Sequence, residues 1–492
     1  MPVESVILKE ARMRQQSDEE AYKRKLRFDL IVDMQPEKTM KLDDMGFSQI
    51  FAQLYKDELL FNATASSWFY YDGKKWREDV GSIRAALNAR EMSELLMVYG
   101  SRCIKDDKHR EAFCKASAKY GGLHHRETII KDARSLMAVR QEDFDAEDNL
   151  LNLQDCTLEL DTLQVHAHRS SDMLTKIANV RYSPYEDGEA WATFMEEVMQ
   201  GDYEKIDYLQ RICGLCLTAD TTLECCFFLY GATTRNGKST FVETISAMLG
   251  DYATTAQPET LAQHKSKGSS PSGDIARLNG CRFLNVSEPP KRMLLDVALL
   301  KQLTGGDTIT ARKLYQNEFE FKPKFKLMLN TNSLPNVTDS TLFSSNRVRI
   351  ITFDRHFEPH EQNPHLKQEL TTTANLSALL NWCIEGLKKL RAIGEKPPES
   401  VLMATEQYKN ESDKIAVFFG DCMKKSDLNS SGADVYSCFC RWCDDSGLGK
   451  EGKTNFYSLL RERNLLSAIG TVNGKTVHNV VVGYSVIPIW EE

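Results

Sequence analysis

The ten residues from Gly231 to Thr240 combine the residue types and the spacing of a phosphate-binding loop. They read Gly-Ala-Thr-Thr-Arg-Asn-Gly-Lys-Ser-Thr and lie between an apolar aromatic run and a segment with helical periodicity, the strand–loop–helix order of such loops. Backbone N–H groups and the helix N-terminus of this arrangement attract phosphate oxygens. Lys238 is expected to reach the β- and γ-phosphates, and the Ser239 hydroxyl to bind Mg²⁺. The sequence therefore predicts binding of a nucleoside triphosphate.

The predicted nucleotide-binding residues all belong to this loop: Gly231, Thr234, Arg235, Asn236, Gly237, Lys238, Ser239 and Thr240. The first glycine lies one residue further from Gly237 than in the usual spacing, so a longer loop is expected. The Lys238 ammonium is expected to face solvent, and its removal to cost little stability. A chance Gly-Lys-Ser-Thr in a surface turn is the weaker alternative, because both flanking segments fit the motif.

An apolar run that ends on Glu288 predicts the acidic group of an ATPase. At such a strand end an acid can polarise water or hold Mg²⁺, so Ser239 and Glu288 form the predicted metal site. Ser287 stands where a Mg²⁺-holding aspartate is common. This departure leaves open whether Glu288 serves as base, metal ligand or both.

A second apolar run, residues 325–332, ends in amides. Asn332 suits a sensor that orients the attacking water, and Asn330 is the second choice. The bland alternative is an asparagine in a turn that ends a strand. The sequence therefore predicts Asn332 as a catalytic residue beside Lys238 and Glu288.

A third run, residues 345–353, is opened by arginines. An arginine at a strand start is commonly a solvated edge residue. In an ATPase, however, it can enter a neighbour's site and neutralise charge in the transition state. Arg347 is the predicted catalytic arginine, and Arg349 is the second choice.

Composition limits the class of protein. The chain has 492 residues, of which 41% are hydrophobic and 27% charged, as in ordinary globular proteins of roughly three domains. No apolar run approaches the ~20 residues that span a bilayer, and charges throughout residues 1–30 leave no secretory signal. We therefore expect a cytoplasmic protein with no membrane partner and with reduced cysteines. The two Cys-x-x-Cys pairs, at 213–216 and 440–443, follow helical periodicity and are predicted to be buried helix positions rather than metal ligands.

The net charge of −8 argues against a surface covered with nucleic-acid-binding charge but allows a local basic groove. Residues 301–327 carry six cations and three acids. Within them, a Gly-Gly-Asp turn at 305–307 and a strand-like run at 319–321 predict a hairpin. Its tip would carry Arg312, Lys313 and Tyr315, which suit contact with phosphate and stacking on a base or sugar. A solvated basic hairpin without a ligand is the alternative.

Periodicity and composition divide the chain into four units. We predict a polar helical arm at 1–45, or alternatively a frayed terminus. An α+β domain follows at 46–190, and a helical collar with an α/β core at 191–395. The unit at 406–492 resembles a winged helix, in which DNA binding would depend on Lys453, Arg461, Arg463 and Lys475. Packing or protein docking is the alternative role of that unit.

The order and spacing of five motifs resemble superfamily 3 helicases, in particular the helicase part of phage and plasmid primase-helicases and of the poxvirus primase-helicase. The motifs are Lys301–Asp307, Thr310–Tyr315, Phe319–Pro323, Asn330–Pro335 and Arg347–Ile351. Segments between Leu150 and Pro184 are similar to the domain that precedes the helicase in that family. The resemblance covers roughly residues 45–355.

The resemblance implies an AAA+ phosphate-loop core with a parallel sheet, in which ATP and Mg²⁺ bind at Lys238 and Ser239. Glu288 would be the Walker B acid, Asn332 the sensor, and Arg347 the finger from the next subunit. Lys301 would also act across the interface. The segment Arg312–Gln316 falls where such helicases have a pore hairpin that grips DNA, which adds Gln316 to the predicted DNA-binding residues.

The predicted function is that of an ATP-dependent, ring-forming DNA helicase, with a homo-hexamer moving on single-stranded and forked DNA. Its expected source is a phage, prophage or mobile element, and its expected location the bacterial host cytoplasm. No acidic metal motif of a primase is evident, since the Asp-x-Asp at 143–145 is typical of a solvated loop, so a separate primase or replication protein could be its partner. The alternative is an ATP-binding initiator that melts or marks an origin. A small-molecule kinase explains fewer of the motifs.

The hairpin assignment predicts the effect of the double variant Arg312→Ala/Lys313→Ala. Basal ATP hydrolysis should stay near normal, while binding of single-stranded DNA weakens and unwinding fails. The log–log salt dependence of DNA binding should flatten by about 0.7 per lost phosphate contact. Fluorescence anisotropy over a salt series measures this slope. Normal unwinding by the variant would move the DNA-gripping role elsewhere, to the C-terminal unit first.

Overall fold

Ten helices and strands at the N-terminal end build a mixed α+β region in the computed structural model, which describes residues 3–263, 273–290, 293–312, 318–337, 341–446 and 449–487. These elements are α1 (Val3–Met34), α2 (Pro36–Thr39), α3 (Asp44–Tyr55), β1 (Leu59–Asn62), β2 (Ser67–Tyr71), β3 (Trp76–Glu78), α4 (Ile83–Cys103), α5 (Asp107–Lys119), α6 (Leu123–Leu136) and β4 (Ala138–Val139).

The strands of this region form a sheet in the order β3-β2-β1-β4, with only the β1–β4 pair parallel. Strands β2 and β3 are joined by a tight turn, in which Gly73 has a φ of 96° and the Asp72 side chain accepts from the two N–H groups that follow the glycine. The end of α1 packs on this region, since Ile31 is buried in the same apolar cluster as residues of α3 and α4.

Three short antiparallel strands follow: β5 (Leu150–Asn152), β6 (Thr157–Glu159) and β7 (Val165–His166). Their buried leucines pack in one apolar cluster with residues of the next region such as Phe194, Phe241 and Leu379, so the apolar core continues across residue 190. Arg282 ties the two together, because its guanidinium donates to the Leu150 carbonyl at 2.7 Å and lies 4.5 Å from the ring centre of Tyr252. A cation over an aromatic face adds attraction to these hydrogen bonds.

The central region is α/β. Its elements are α7 (Glu189–Met199), α8 (Tyr203–Leu215), β8 (Cys226–Tyr230), α9 (Lys238–Leu249), β9 (Ala253–Ala256), α10 (Gly273–Ala276), β10 (Phe283–Ser287), α11 (Val297–Thr304), β11 (Ile309–Arg312), β12 (Glu318–Phe321), β13 (Lys326–Thr331), α12 (Thr341–Ser344), β14 (Val348–Thr352), α13 (Leu366–Leu370), α14 (Thr373–Ile393) and α15 (Glu399–Ser412).

Five parallel strands form the central sheet in the order β14-β8-β13-β10-β9. The central strands β8 and β13 are buried along nearly their whole length, as expected for parallel strands covered on both faces. Because all five strands run the same way, their carboxyl ends lie at one edge, which is where ligands bind in open parallel sheets. The loop after β8, Glu288 after β10 and Asn332 after β13 all belong to this edge.

The far end of α9 is fastened to the N-terminal region. Asp251 follows this helix, and its carboxylate pairs with Lys75 from the β2–β3 hairpin and accepts from the Ile177 N–H at 3.1 Å. Lys75 is buried, so the pair is shielded from solvent on the lysine side. A buried charge requires such a partner.

The C-terminal region has its own aromatic core, built from residues such as Phe418, Phe439 and Phe456. Its elements are α16 (Lys414–Cys422), β15 (Met423–Lys425), β16 (Ser430–Ser431), α17 (Gly432–Asp445), α18 (Lys453–Glu462), β17 (Leu466–Val472), β18 (Lys475–Val481) and β19 (Tyr484–Val486). Helix α18 is followed by the antiparallel β17–β18 hairpin. One of the predicted DNA-binding cations, Arg463, is paired with both carboxylate oxygens of Asp413 at 2.9 Å.

Short 3₁₀ turns join several elements, at Val80–Ser82, Gln141–Asp143, Ser170–Asp172, Gly250–Tyr252 and Pro258–Leu261. Cys213 and Cys443 are buried on helices as predicted, and Cys216 is buried at the C-cap of α8, whereas Cys440 is half-buried on α17. None of the helices in the described part of the chain is both long enough and apolar enough to cross a membrane.

Helices α8 and α14 cross at two glycines. A Cβ atom on Gly214 would lie 2.2 Å from the backbone nitrogen of Leu387, and one on Gly386 would lie 2.0 Å from the carbonyl oxygen of Gln210. Real Cβ contacts are not this short, so each glycine permits the close approach of the partner helix.

We predict that Gly214→Ala lowers the free energy of unfolding by about 1–3 kcal/mol, the usual cost of forcing extra atoms into a packed core. Gly420→Ala in α16 is the matched control, because nothing lies within 4 Å of its added Cβ and alanine favours a helix over glycine by about 1 kcal/mol. Thermal melts followed by circular dichroism should show opposite shifts for the two variants. A melt unchanged in Gly214→Ala would contradict the close crossing.

Candidate nucleotide-binding site

Two glycines allow the loop between β8 and α9 to fold over itself. A Cβ on Gly231 would lie 2.1 Å from the Asn236 amide nitrogen and 2.8 Å from the Lys238 ammonium. Gly237 has a φ of 82°, and its Cβ would lie 2.5 Å from Val198 in α7. Left-handed backbone and close approach both favour glycine. All eight predicted nucleotide-binding residues therefore lie in this loop or in the first turn of α9.

The Lys238 side chain is buried, with 3% of the residue exposed. Its ammonium donates to Asn332 Oδ1 at 2.7 Å, to Asn236 Oδ1 at 2.8 Å and to the Gly231 carbonyl at 3.3 Å. The expectation of a solvent-facing lysine was wrong, because three oxygens of the protein draw the ammonium inward. Burial lowers the pKa of Lys238 to about 8, and the nearby Glu288 carboxylate opposes this shift.

Asn236 fixes the shape of the loop as well as the position of the lysine. Its amide nitrogen donates to the Thr233 carbonyl at 2.7 Å while its oxygen accepts from Lys238. The sequence placed Asn236 among the phosphate-binding residues without this role. Its position two residues before the lysine is the only sequence signal for it.

The strand ends β10 and β13 meet in register, with Ser287 opposite Asn330. The Asn330 amide nitrogen donates to Ser239 Oγ at 3.4 Å, and its carbonyl accepts from the Glu288 N–H at 2.9 Å. Glu288 itself adopts a φ of 53°, a conformation that non-glycine residues adopt at a cost. The predicted metal-binding residues Ser239 and Glu288 are thus both bonded to Asn330.

The part of the β8–α9 loop that contains Thr234 and Arg235 contacts the segment after β14. The Thr234 carbonyl accepts from a ring nitrogen of His356 at 2.9 Å, and the Arg235 carbonyl accepts from the Phe357 N–H at 2.9 Å. The Arg235 guanidinium donates to Gln362, and Arg235 has a φ of 57°. Thr234 and Arg235 therefore attach the loop to the segment that follows β14.

A cleft of about 1140 Å³ opens beside the loop. It lies between α7, with Phe194 on its wall, and the segment that contains Phe357 and continues to α14. Six acidic residues also line it: Glu186, Asp187, Glu189, Glu197, Glu361 and Glu369. A concave site with an apolar wall and a few polar groups is the usual form of a small-molecule site.

Arg347 lies at the opposite edge of the sheet. It precedes β14, and its carbonyl accepts from the N–H of Cys226 at 2.9 Å, where β8 begins. Its guanidinium pairs with Glu224 and donates to the Lys301 carbonyl and to Thr304 Oγ1, both at 3.3 Å. The structure therefore does not bring Arg347 to the β8–α9 loop of its own chain, and Glu224 was not foreseen as its partner.

Arg349 is held within its own chain by Glu395, with nitrogen–oxygen distances of 2.9 and 3.2 Å. Both side chains are largely buried. Burial opposes the charge of Arg349, but the adjacent Glu395 carboxylate raises the pKa of the guanidinium above its usual value. Arg349 is thus a poorer candidate for a mobile catalytic arginine than Arg347.

The predicted hairpin is present as the antiparallel pair β11–β12, with Arg312 exposed and opposite Glu318. The tip residues Lys313, Tyr315 and Gln316 lie outside the described residues. Two other cations of the basic segment have partners within the chain. The Lys326 ammonium is buried and donates to the Thr218 and Asp220 carbonyls, with its pKa lowered to about 8 by burial. Lys324 is half-buried and pairs with Asp148.

Comparison with known proteins adds two family matches to this mixed α/β fold. Residues 48–200 match the family described as "D5 N terminal like", and residues 229–347 match a family of unknown function, DUF5906. The first match begins within α3 and extends through α7, and the second begins at the end of β8 and ends at Arg347.

Relatives from viruses align with the same part of the chain. A protein of Acanthamoeba polyphaga mimivirus named as a proposed helicase is 28% identical over 301 residues, which are 57% of this chain and 31% of that protein. One of Frog virus 3 (isolate Goorha), named in the same way, is 30% identical over 228 residues, 43% of this chain and 23% of that protein. The chain thus spans less than a third of the length of these relatives. Together with the family matches, they support a D5-like primase-helicase family.

Among solved structures, the apo C-terminal region of NrS-1 is similar over 90% of this chain and 100% of its own, at 10% identity and a TM-score of 0.47.

The lowered pKa of Lys238 predicts that binding of a non-hydrolysable ATP analogue depends on pH. Phosphate contact favours the ammonium, so binding by the partly deprotonated free protein requires uptake of a proton above pH 8. The dissociation constant should therefore rise about tenfold between pH 7.5 and pH 9. Fluorescence binding titrations measure this change.

Two variants test the source of that pH dependence. Lys238→Arg keeps its charge at both pH values, so its affinity should not change with pH in this way. Lys326→Met removes the other lysine with a pKa near 8 at the opposite edge and should keep the wild-type dependence. A pH-independent wild-type affinity would count against the assignment.

Proposed function

We propose that this chain is an ATP-dependent DNA helicase of the superfamily 3, AAA+ type, which acts in replication as a ring. The observation that carries the proposal is the meeting of a phosphate-binding loop with Glu288, Asn330 and Asn332 at the carboxyl edge of a parallel sheet. The family matches and the helicase names of the viral relatives support the DNA-dependent part.

ATP would bind with its phosphates against the N-terminus of α9 and its base in the cleft beside the loop. Lys238 would exchange bonds with protein oxygens for bonds to the β- and γ-phosphates. Asn332, released from the lysine, would then be free to orient the attacking water. Glu288, exposed at the end of β10, would accept a proton from that water.

The donors at this edge fit Mg²⁺, which prefers hard oxygen ligands and completes its octahedron with water and substrate phosphates. Ser239 and Glu288 would hold the ion. When bound, the ion would neutralise charge that develops on the phosphate oxygens.

Arg347 would act on the ATP of a neighbouring subunit. The loop and Arg347 lie at opposite edges of the same sheet, so a head-to-tail assembly can bring the arginine edge of one copy to the loop edge of the next. Such heterologous contacts close into rings when the rotation per subunit permits. We propose a hexamer, with Lys301 on the same interface.

DNA contact would come from the β11–β12 hairpin, where Arg312 is exposed, and from the C-terminal region with its winged-helix-like elements. The alternative, an initiator that uses ATP only for assembly, would bind the same DNA. Strand displacement from a forked duplex separates the two, because the initiator would hydrolyse ATP without releasing the strand.

Mixing two inactive variants tests the shared site. Lys238→Ala should abolish hydrolysis through loss of a phosphate contact, and Arg347→Ala through loss of the finger, which supplies about 10³–10⁵ in rate. Mixed rings pair some intact loops with intact fingers, so partial ATPase activity should return. The rate of phosphate release, measured beside the mass of the assembly, checks this.

The matched control mixes Arg347→Ala with the double variant Lys238→Ala/Arg347→Ala. These rings contain intact loops but no finger, so activity should stay absent. Rescue in the control, or none in the test mixture despite proven co-assembly, would overturn the shared site. Full hydrolysis by Lys238→Ala alone would overturn the ATPase assignment.

A further inference from the structure

The strand β10 offers no aspartate beside its terminal glutamate. In phosphate-loop enzymes Mg²⁺ is held by the loop serine or threonine together with an aspartate from a neighbouring strand. Here Ser287 occupies that place, and its hydroxyl accepts from the Asn285 amide at 2.8 Å, within its own strand. Ser287 is uncharged, so another group must orient the loop serine.

Asn330 is the side chain that reaches the loop serine. It is 4% exposed, lies opposite Ser287 in the sheet register and donates its amide hydrogen to Ser239 Oγ at 3.4 Å. Its backbone carbonyl accepts from Glu288 at 2.9 Å. Asn330 therefore contacts the Ser239 hydroxyl through its side chain and the Glu288 backbone N–H through its carbonyl.

The direction of this hydrogen bond matters. A serine hydroxyl has one hydrogen and two acceptor lone pairs. When the Asn330 amide occupies one lone pair, rotation of the hydroxyl is restricted and the second lone pair remains for a cation. A partner that fixes a ligand in this way typically changes metal affinity by 10–100-fold when it is removed.

The nearby Asn332 contacts a different residue of the loop. Asn332 lies two residues further on, and its oxygen accepts from Lys238 rather than contacting Ser239. The Asn332 side chain therefore holds Lys238, and the Asn330 side chain holds Ser239.

We infer that Asn330 is a positioning residue that sets the Ser239 hydroxyl for Mg²⁺ in place of the missing strand aspartate. The inference rests on the proposed binding of ATP and Mg²⁺ at this loop. It gives Asn330 a role that differs from that of a water-orienting sensor.

The test is equilibrium binding of a fluorescent ADP analogue to the full chain, titrated with MgCl₂ and repeated in EDTA. Asn330→Leu, which keeps the volume but removes the amide, should raise the Mg²⁺ concentration for half-maximal enhancement of binding by 10–100-fold. Binding in EDTA should not change, because the Asn330 side chain contacts the loop at the Ser239 hydroxyl, the proposed Mg²⁺ ligand, whereas Lys238 is held by Asn332. Asn330→Asp, which restores a carboxylate in the same shape, should keep the half-maximal concentration within about twofold of wild type or lower it.

Asn62→Leu is the control for loss of a buried amide, since Asn62 is fully buried in β1 and donates to Gln141 at 2.8 Å; it should leave the Mg²⁺ titration unchanged. If Asn330→Leu fails to fold by circular dichroism, Asn330→Ser takes its place with the same expected shift. An unchanged Mg²⁺ requirement, or an equal loss of binding in EDTA, would overturn the role of Asn330. A wild-type protein that binds no nucleotide in either buffer would instead overturn the proposed function.

Discussion

A buried ammonium group must find oxygen partners, because the desolvated charge is otherwise too costly to keep. Lys238 finds them in the Gly231 carbonyl and in the side chains of Asn236 and Asn332. These partners come from the end of β8, from the loop itself and from the end of β13. The need to pair the buried Lys238 ammonium thereby joins the loop to the end of the neighbouring strand β13. The pairing of β10 with β13 brings Ser287 and Glu288 to the same edge of the sheet.

The direction of the sheet explains why the predicted groups separate into two sets. A parallel strand presents different chemistry at its two ends, and every strand of this sheet has the same orientation. The loop, the acid and the amides follow strands, whereas Arg347 precedes one. The separation of Arg347 from the loop, the acid and the amides is therefore a consequence of topology, and it holds within a single copy of the chain.

Local pattern was sufficient for the elements and insufficient for their contacts. The loop between β8 and α9, the hairpin at Asp72-Gly73 and the β11–β12 pair were all predictable, since each depends on residues close together in sequence. The burial of Lys238 was not, because its partner Asn332 is 94 residues away. The inward direction of Lys326 was missed for the same reason: a cation at a strand start resembles a surface residue until the carbonyls of Thr218 and Asp220 are seen beside it. Nor does a one-dimensional pattern show that the leucines of β5 and β6 share a core with α9.

Helix α9 connects two fixed points. Its first residue is Lys238, and after 12 residues, about 18 Å of helix, it is followed by Asp251, which is paired with Lys75 of the N-terminal hairpin. A helix is stiff along its axis, and this one is held by side-chain bonds at both extremities. Any axial shift of the β8–α9 loop must therefore either move the β2–β3 hairpin with it or break the ion pair. The helix therefore couples the position of the β8–α9 loop to that of the β2–β3 hairpin in the N-terminal region.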